Sequence, residues 1–267
     1  MTTRTVSLLV DAGNTTTKIG LADAAGLFTS YVLPTDKAAT PDSLGLALTS
    51  LAAHAGVAAG EVSSITVSSV VPPMDPLLSR AAERYFGVTA RFVPRDVAVP
   101  LENRYARPHE VGADRLVTAY AGRLAAETPV VVVVDFGTAT TFDCVKGNAF
   151  LGGLICPGLF SSLKALSLDT AKLPHIALDH GHGGLSIGQS TSECLNQGFL
   201  HGFAAMAEGV GKLLVKHLGE PATILATGGF AARLAPLCPS FSQVRPDLLL
   251  EGLLLLSRQG VVPEKDE

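Results

Sequence analysis

The sequence predicts an α/β protein built from two related halves. Two motifs, Asp11-Ala-Gly-Asn-Thr-Thr-Thr-Lys18 and Asp135-Phe-Gly-Thr-Ala-Thr-Thr-Phe142, keep an aspartate, a glycine and two adjacent threonines at the same offsets. Each motif directly follows a β-branched run typical of a buried strand, at residues 6–10 and 130–134. A chain of 267 residues is also long enough for two domains with separate cores. We therefore expect two similar domains that face one ligand.

The turn after each of these strands predicts a phosphate site. A strand that ends in Asp-x-Gly and enters a Thr-rich hairpin brings backbone N–H groups, hydroxyls and a carboxylate together. Either motif alone is also compatible with an ordinary hairpin, because these residue types favour turns. The repeat with matched offsets favours a pair of phosphate-binding turns. A third glycine-rich turn, Ala226-Thr-Gly-Gly229, is either a further nucleotide contact or a plain strand-to-helix corner.

Composition and charge narrow the possible partners. The chain is 47% hydrophobic and 16% charged, with a net charge of −4, so it offers no basic stripe and we expect no nucleic-acid partner. The longest apolar stretch, residues 248–256, is interrupted by Glu251 and is shorter than the roughly 18 residues that span a bilayer. We therefore expect a buried C-terminal helix there, and no membrane partner.

The cysteines and the N-terminus indicate the compartment. Cys144, Cys156, Cys194 and Cys238 lie far apart and contain no C-x-x-C pair, which predicts buried or semi-buried thiols in a reducing environment. The apolar run before Asp11 is too short for the hydrophobic region of a signal peptide. Together these features predict a cytoplasmic location.

The hydrophobic pattern predicts the order β-β-β-α-β-α-β for the first half, with a similar restart in the second half. In the first half, the predicted strands are residues 6–10, 18–22, 28–33, 65–71 and 89–93, and the predicted helices are residues 41–56, capped by Asp42, and 76–86. In the second half, the strands are residues 130–134, 140–145, 149–155 and 222–225, and the helices are residues 159–166 and 191–217.

This plan resembles the duplicated ribonuclease-H-like fold of actin, sugar kinases and heat-shock chaperones. Three strands, then alternating helix and strand, occur twice with a glycine-rich turn after the first strand. The resemblance implies two domains around an ATP cleft, which we place at residues 1–115 and 116–267. Fold alone does not settle function.

The segment between the halves carries the tetrapeptide Gly112-Ala-Asp-Arg115, in which opposite charges are adjacent at a predicted helix start. In one interpretation it only begins the helix, because glycine frees the turn and Asp114 complements the helix dipole. In the other, Asp114 accepts the proton of a substrate hydroxyl while Arg115 neutralises substrate or phosphate charge. Both interpretations can hold together.

Seven motifs in order resemble those of the type III pantothenate kinases, which make the first phosphorylated intermediate of coenzyme A synthesis. They are Asp11-Ala-Gly-Asn-Thr15 with Lys18, Val111-Gly-Ala-Asp-Arg115, Asp135-Phe-Gly-Thr-Ala-Thr-Thr-Phe-Asp143, Gly152-Gly-Leu-Ile-Cys-Pro-Gly158, Thr170-Ala-Lys-Leu-Pro174, Gly188-Gln-Ser-Thr191 and Ala226-Thr-Gly-Gly229. The chain departs from the family pattern at Arg107-Pro108, where Asn-Pro is common, and in the helix after Arg115. These departures concern only the rim of the pocket.

The resemblance implies a set of site residues. The ATP phosphates would be bound by Asp11, Ala12, Gly13, Asn14, Thr15, Thr16, Thr17 and Lys18, with a further contact from Thr138. Pantothenate would be held by Tyr105, Gly112, Ala113, Asp114, Arg115 and Thr191, with Asp114 as the proton acceptor. Asp135 would bind a monovalent cation, K⁺ or NH₄⁺, and Mg²⁺ would accompany ATP. The resemblance also implies a homodimer.

Two other functions remain open at this point. A sugar kinase or polyphosphatase on the same fold would explain the paired phosphate turns, but not Gly112–Arg115 or Gly188–Thr191. A non-enzymatic ATP-binding regulator or chaperone-like switch is opposed by an intact Asp114. A further group, His175, Asp179, His180 and His182, lacks regular metal-ligand spacing, so we expect surface loop histidines and no structural zinc.

Overall fold

The structure is a computed structural model that describes residues 5–168 and 184–259. The chain divides into two compact units. The first comprises residues up to 101, residues 106–121 and residues from 247 onward, and the second comprises residues 102–105 and 122–246. The motif at 170–174 and the predicted loop histidines His175, His180 and His182 with Asp179 lie outside the described residues.

Five strands form the sheet of the first unit: β1 (Val6–Ala12), β2 (Thr16–Asp23), β3 (Gly26–Pro34), β4 (Val62–Ser69) and β5 (Ala90–Val93). Their spatial order is β3-β2-β1-β4-β5. The first three strands pair antiparallel, as predicted, and β4 and β5 continue the sheet in parallel with β1. The predicted element order of the first half is therefore confirmed.

Helices α1 (Pro41–His54) and α2 (Asp75–Phe86) cover one face of this sheet. Val6, Leu8 and Val10 of β1 point into the core that these helices share, whereas Leu9 belongs to the core on the opposite face. Strand β1 is thus buried on both faces, which explains why its sequence is a continuous apolar run instead of an alternating pattern.

The predicted cap of α1 is wrong. The N-cap is Thr40, whose Oγ1 accepts a hydrogen bond from the Ser43 N–H at 3.1 Å, while Ser43 Oγ accepts one from the Thr40 N–H at 3.0 Å. The Asp42 carboxylate instead accepts a hydrogen bond from the Tyr85 hydroxyl at 3.0 Å and pairs with Arg84 at 2.8 Å. Asp42 cannot be the cap because it lies inside the first helical turn, whereas a capping residue precedes that turn. Its contacts with Tyr85 and Arg84 instead link α1 to α2.

Six strands form the sheet of the second unit: β6 (Glu102–Asn103), β7 (Val130–Phe136), β8 (Ala139–Lys146), β9 (Ala149–Pro157), β10 (Ala222–Thr227) and β11 (Gln243–Val244). Their order is β11-β10-β7-β8-β9-β6. The meander β7-β8-β9 and the parallel strand β10 match the prediction. Strands β6 and β11 were not predicted, because two residues are too few to show a periodic pattern.

The next helices in the chain are α3 (Ala113–Ala125), α4 (Leu159–Leu168), α5 (Thr191–Leu218) and α6 (Ala231–Leu234). Most of α3 belongs to the first unit, and the other three belong to the second. The core of the second unit packs Val132, Val134 and Phe142 of the sheet against Leu200 and Ala204 of α5. This packing buries one face of the β7-β8 hairpin and so fixes the strands that carry the second motif.

The apolar C-terminal stretch forms the expected buried helix, α7 (Leu248–Ser257). It packs Leu249, Leu250 and Leu253 into the core that contains Leu9 of β1 and Val117 of α3. Helix α7 thus covers the face of the first sheet that lies opposite α1 and α2. No helix in the described part of the chain is long and apolar enough to cross a bilayer.

The cysteines are all free thiols. Cys144 and Cys238 are buried and Cys156 is partly buried, as predicted, but Cys194 is exposed because the whole first turn of α5 faces solvent. Burial, with a smaller effect from the charge of Glu208, raises the pKa of the Cys238 thiol to about 11. That thiol is therefore protonated and unreactive at neutral pH.

Candidate active site

The first hairpin joins β1 to β2 through residues 13–15, and Thr16 is the first residue of β2. Ala12 is opposite Thr17, and the Gly13 N–H donates a hydrogen bond to the Thr16 carbonyl at 3.1 Å. Thr17 is only 4% exposed, so its side chain belongs to the core of the first unit. At this hairpin, the side chains of Asn14, Thr15 and Thr16 are exposed to solvent.

Asp11 lies near the end of β1 and is held there by the neighbouring strand. Its side chain is 8% exposed, and the Ser68 hydroxyl of β4 donates a hydrogen bond to Asp11 Oδ1 at 3.2 Å. Lys18, opposite Asp11 on β2, is partly exposed. Ser68 belongs to none of the sequence motifs, and it is the parallel pairing of β1 with β4 that places residues 11 and 68 side by side.

The second hairpin joins β7 to β8 through residues 137 and 138. Phe136 is opposite Thr140, and the Gly137 N–H donates a hydrogen bond to the Ala139 carbonyl at 3.0 Å. Thr138 is exposed, and its carbonyl accepts a hydrogen bond from the Ser161 hydroxyl of α4 at 2.7 Å. Ser161 is a second residue that the sequence analysis did not identify.

The two hairpins differ in register although their motifs have equal offsets. Asp11 is opposite Lys18, but Asp135 is opposite Thr141, the residue that matches Thr17 in sequence. Successive side chains of a strand point to opposite faces, so a shift of one residue changes the surroundings of each threonine. Thr16 is accordingly exposed, whereas its counterpart Thr140 is buried.

Asp135, the expected cation ligand, lies against the third glycine-rich turn. Thr227 of β10 is opposite Asp135, and the next residue, Gly228, has a φ of +90°. A β-carbon at Gly228 would collide with Asp135 Oδ1 and would lie 2.8 Å from the backbone of Phe136. Only glycine allows this close approach. A carboxylate oxygen is a ligand that hard cations prefer, so the Asp135 side chain fits a cation at this turn.

The start of α4 closes on the second hairpin in the same unit. A β-carbon at Gly158 would collide with the Thr138 carbonyl oxygen and would lie 2.8 Å from that of Gly137. The Phe230 N–H, which follows the third turn, donates a hydrogen bond to the Phe136 carbonyl at 3.4 Å. The second hairpin, the start of α4 and the third turn are thus packed together.

Asp114 lies in the first turn of α3, as predicted, and its side chain is partly buried. Its Oδ1 accepts a hydrogen bond from the Arg115 N–H at 2.8 Å and lies over Gly112, where a β-carbon would collide with it. Burial raises the pKa of Asp114 above its ordinary value, against the opposing effects of the Arg115 N–H and the Arg115 charge. Asp114 is therefore a stronger base than an exposed aspartate, whose pKa is about 4.

Arg115 and Thr118 are the neighbours of Asp114 in the first turns of α3. Arg115 is 9% exposed, so a guanidinium that carries a permanent charge is buried next to Asp114 in the chain. The Thr118 hydroxyl donates a hydrogen bond to the Asp114 carbonyl at 2.7 Å. Asp114 can accept the proton of a hydroxyl group, and Arg115 supplies a positive charge beside it. Phosphoryl transfer to an alcohol uses both kinds of group.

Tyr105 and Thr191 belong to the second unit. The Tyr105 ring packs over Gly152, where a β-carbon would lie 3.2 Å from Tyr105 Cδ2, and its centroid is 6.4 Å from that of Phe150. Thr191 is exposed at the start of α5, directly after the capping residue Ser190. No three His, Cys, Asp or Glu side chains within residues 5–168 and 184–259 are grouped as metal ligands.

The chain is similar in sequence to one known protein family over most of its length. The family model of type III pantothenate kinase matches residues 7–212. Proteins of that name from Nitratidesulfovibrio vulgaris and Oleidesulfovibrio alaskensis are 55% and 54% identical, covering 93% and 94% of this chain and 95% and 96% of their own. One from Thermus thermophilus is 42% identical and covers 92% of this chain and 96% of its own.

Solved structures support the predicted fold. A ROK family glucokinase from Streptomyces griseus, in complex with glucose and AMPPNP, has a TM-score of 0.55 at 16% identity and covers 96% of this chain and 100% of its own. A Campylobacter jejuni protein described as belonging to the Baf family of transcriptional activators has a TM-score of 0.57 at 20% identity, covering 93% of this chain and 96% of its own. These similarities support the duplicated ribonuclease-H-like fold alone.

Proposed function

Because this chain belongs to the type III pantothenate kinases, we propose a role for each of its site residues in the transfer of a phosphoryl group from ATP to pantothenate. The reaction yields 4'-phosphopantothenate in the first step of coenzyme A synthesis. The observation that carries the proposal is the partly buried Asp114 carboxylate, whose pKa is raised and which lies beside Arg115 at the start of α3.

Asp114 acts on the acceptor hydroxyl. The hydroxyl oxygen of pantothenate attacks the γ-phosphorus of ATP, the bond from that phosphorus to the bridging oxygen breaks, and Asp114 takes the hydroxyl proton. Since the transition state of phosphoryl transfer is loose, the proton moves late and the main task of Asp114 is to orient the hydroxyl. The raised pKa of Asp114 favours this late transfer.

The remaining acceptor residues position pantothenate. Gly112 and Ala113 bring the backbone of the helix start close to the substrate, and Arg115 neutralises substrate or phosphate charge. In the second unit, Tyr105 offers an aromatic surface with a polar tip, and Thr191 offers an exposed hydroxyl. These roles rest on the motif match and, for Thr191, on the exposure of the side chain.

The first hairpin binds the ATP phosphates. This site is formed or supported by Asp11, Ala12, Gly13, Asn14, Thr15, Thr16, Thr17 and Lys18. Thr138 of the second hairpin adds a contact. Asn14, Thr15 and Thr16 are exposed, so their polar groups are accessible to an anion, and Lys18 adds a positive charge. Mg²⁺ accompanies ATP, as in kinases generally.

Asp135 holds a monovalent cation, K⁺ or NH₄⁺. The fit rests on the carboxylate of Asp135 and on the close approach that Gly228 permits. When bound, such a cation supplies positive charge that offsets the charge of the phosphates. Asp135 itself fixes where that charge lies.

The protein forms a homodimer in the cytoplasm. Exposed apolar side chains in the second unit support a protein interface, since such groups are usually covered. They include Leu154, Ile155, Phe160, Leu185 and Ile187. The cytoplasmic location is supported by the need for ATP and by four free thiols.

The central test is a coupled assay of ADP formation with ATP and Mg²⁺, with and without pantothenate. We expect ADP to form only when pantothenate is added, because the acceptor residues are separate from the phosphate hairpins in sequence and role. Equal turnover with glucose in place of pantothenate, or with water alone, would contradict the assignment.

A further inference from the structure

Thr35 follows β3 and belongs to none of the sequence motifs, yet it holds the first hairpin by three contacts. Its N–H donates a hydrogen bond to the Thr15 carbonyl at 3.0 Å. Its hydroxyl donates one to the Gly13 carbonyl at 2.6 Å. The hydroxyl oxygen also lies 2.9 Å from Thr17 Oγ1.

Because each hydroxyl has one proton, the donor in the contact between Thr17 and Thr35 can be assigned. A threonine hydroxyl has one proton to donate, and Thr35 donates its proton to the Gly13 carbonyl. The contact between the hydroxyls of Thr17 and Thr35 therefore requires Thr17 to be the donor. The chain runs from Thr17 through Thr35 to Gly13, and the single proton of Thr17 points into the protein.

These contacts also orient the loop backbone. Thr35 engages the carbonyls of Gly13 and Thr15, and the Gly13 N–H engages that of Thr16. Carbonyl oxygens bonded in this way are not directed at a bound anion, which favours a loop that presents N–H groups to phosphate. The second hairpin has a comparable contact, in which Ser161 holds the Thr138 carbonyl.

We propose that Thr35 and Thr17 are positioning residues that set the conformation of the phosphate hairpin, and that the Thr17 hydroxyl does not donate to phosphate. The inference rests on the proposed role of this hairpin in binding ATP. It separates Thr17, which is buried, from its neighbour Thr16, which is exposed. Sequence similarity alone treats the two threonines as equivalent.

Replacing Thr35 tests the positioning role. Thr35→Val keeps the shape but removes the hydroxyl, so we expect KM for ATP to rise about tenfold while KM for pantothenate stays near the wild-type value. Thr35→Ser keeps the hydroxyl and should restore KM for ATP. Thr35→Ala, which adds no bulk, replaces Thr35→Val if the valine variant does not fold.

Thr49→Val is the matched control. The Thr49 hydroxyl donates to the Gly45 carbonyl at 2.9 Å within α1, so its loss removes a comparable hydrogen bond outside the hairpin. We expect both KM values of this variant to remain unchanged. A Thr35→Val enzyme with wild-type KM for ATP, or with both KM values raised equally, would overturn the positioning role.

A double-mutant cycle tests the direction of the hydroxyl chain. If Thr17 acts only through Thr35, the variant with both Thr17→Val and Thr35→Val should have the same KM for ATP as Thr35→Val alone. If Thr17 donates directly to phosphate, the two effects should multiply. Multiplied effects would therefore refute the inward direction of the Thr17 proton.

A further variant distinguishes failure of this inference from failure of the proposed ATP site. Asn14→Ala alters an exposed side chain of the same loop. An unchanged KM for ATP in Asn14→Ala, together with no effect of Thr35→Val, would place the phosphates elsewhere. A raised KM in Asn14→Ala with no effect of Thr35→Val would leave the ATP site in place and remove only the role of Thr35.

Discussion

At the scale of single residues, the proposed chemistry centres on Asp114, whose environment differs from that of an exposed aspartate. Burial raises the pKa of Asp114, although the Arg115 N–H and charge act in the opposite direction. From sequence, Asp114 is compatible with a helix-dipole partner and with a base, and both roles can hold together. The raised pKa makes its carboxylate a better proton acceptor than an exposed aspartate.

Asp114→Asn should lower kcat by about 10²-fold or more while substrate binding is kept, as expected for loss of a positioned proton acceptor. Steady-state kinetics and an ATP titration would measure the two effects. Asp42→Asn is the control, since that carboxylate ties α1 to α2 and has no role in the proposed site. Wild-type turnover in Asp114→Asn would leave Asp114 as a structural residue of α3.

The pH profile should report the same group. Only the ionised carboxylate accepts a proton, so kcat/KM should fall as the pH drops through the pKa of Asp114, at a higher pH than for an ordinary aspartate. The pKa of Asp114 is higher in the folded state than in the unfolded state. The free energy of unfolding should therefore decrease as the pH rises through the range between these two pKa values. Rate profiles and thermal melts of the wild type and Asp114→Asn would measure both trends; a variant that kept both would contradict the assignment.

At the scale of elements, each phosphate hairpin depends on a neighbouring element that holds it. Ser68 of β4 reaches Asp11, Thr35 after β3 holds the loop at Gly13, and Ser161 of α4 holds Thr138. Parallel pairing and chain crossovers bring these hydroxyls to the hairpins. The motif residues therefore form a site only when the sheet and the helix that support them are in place.

Gly228→Ala should lower activity and weaken the response to K⁺, because the added methyl group collides with Asp135 Oδ1 and the φ of +90° is strained for alanine. Gly229→Ala is the matched control, since no atom lies within 4 Å of the position that its β-carbon would take. Kinetics at varied K⁺ would compare the variants. Equal behaviour of the two would show that the third turn does not support Asp135.

At the scale of the whole molecule, the duplication gives two sheets that each contain an antiparallel meander, whose first hairpin carries one copy of the repeated motif. The two copies differ in register. We propose that the first hairpin binds phosphate, while the second carries the cation ligand Asp135 next to Thr138.

Activity should therefore depend on a monovalent cation. A bare Asp135 carboxylate near ATP would repel its phosphates by several kcal/mol where screening is weak, and a bound cation reverses this effect. Replacing K⁺ by tetramethylammonium at fixed ionic strength, with Mg²⁺ saturating, should lower turnover, and Asp135→Asn should weaken the K⁺ response. Full activity in tetramethylammonium, after bound K⁺ and NH₄⁺ have been removed, would contradict the role of Asp135.

The sequence by itself determined the fold class, the order of the longer elements and the family, because these depend on local periodicity and on motifs of adjacent residues. It placed Asp114 at the start of a helix, and its repeat located both hairpins. Only the tertiary structure decided that Thr40 caps α1 in place of Asp42, that Thr16 and Thr140 differ in exposure, and that Ser68, Thr35 and Ser161 hold the hairpins. These features depend on strand register and on contacts between residues distant in the chain, and equal sequence offsets fix neither of them.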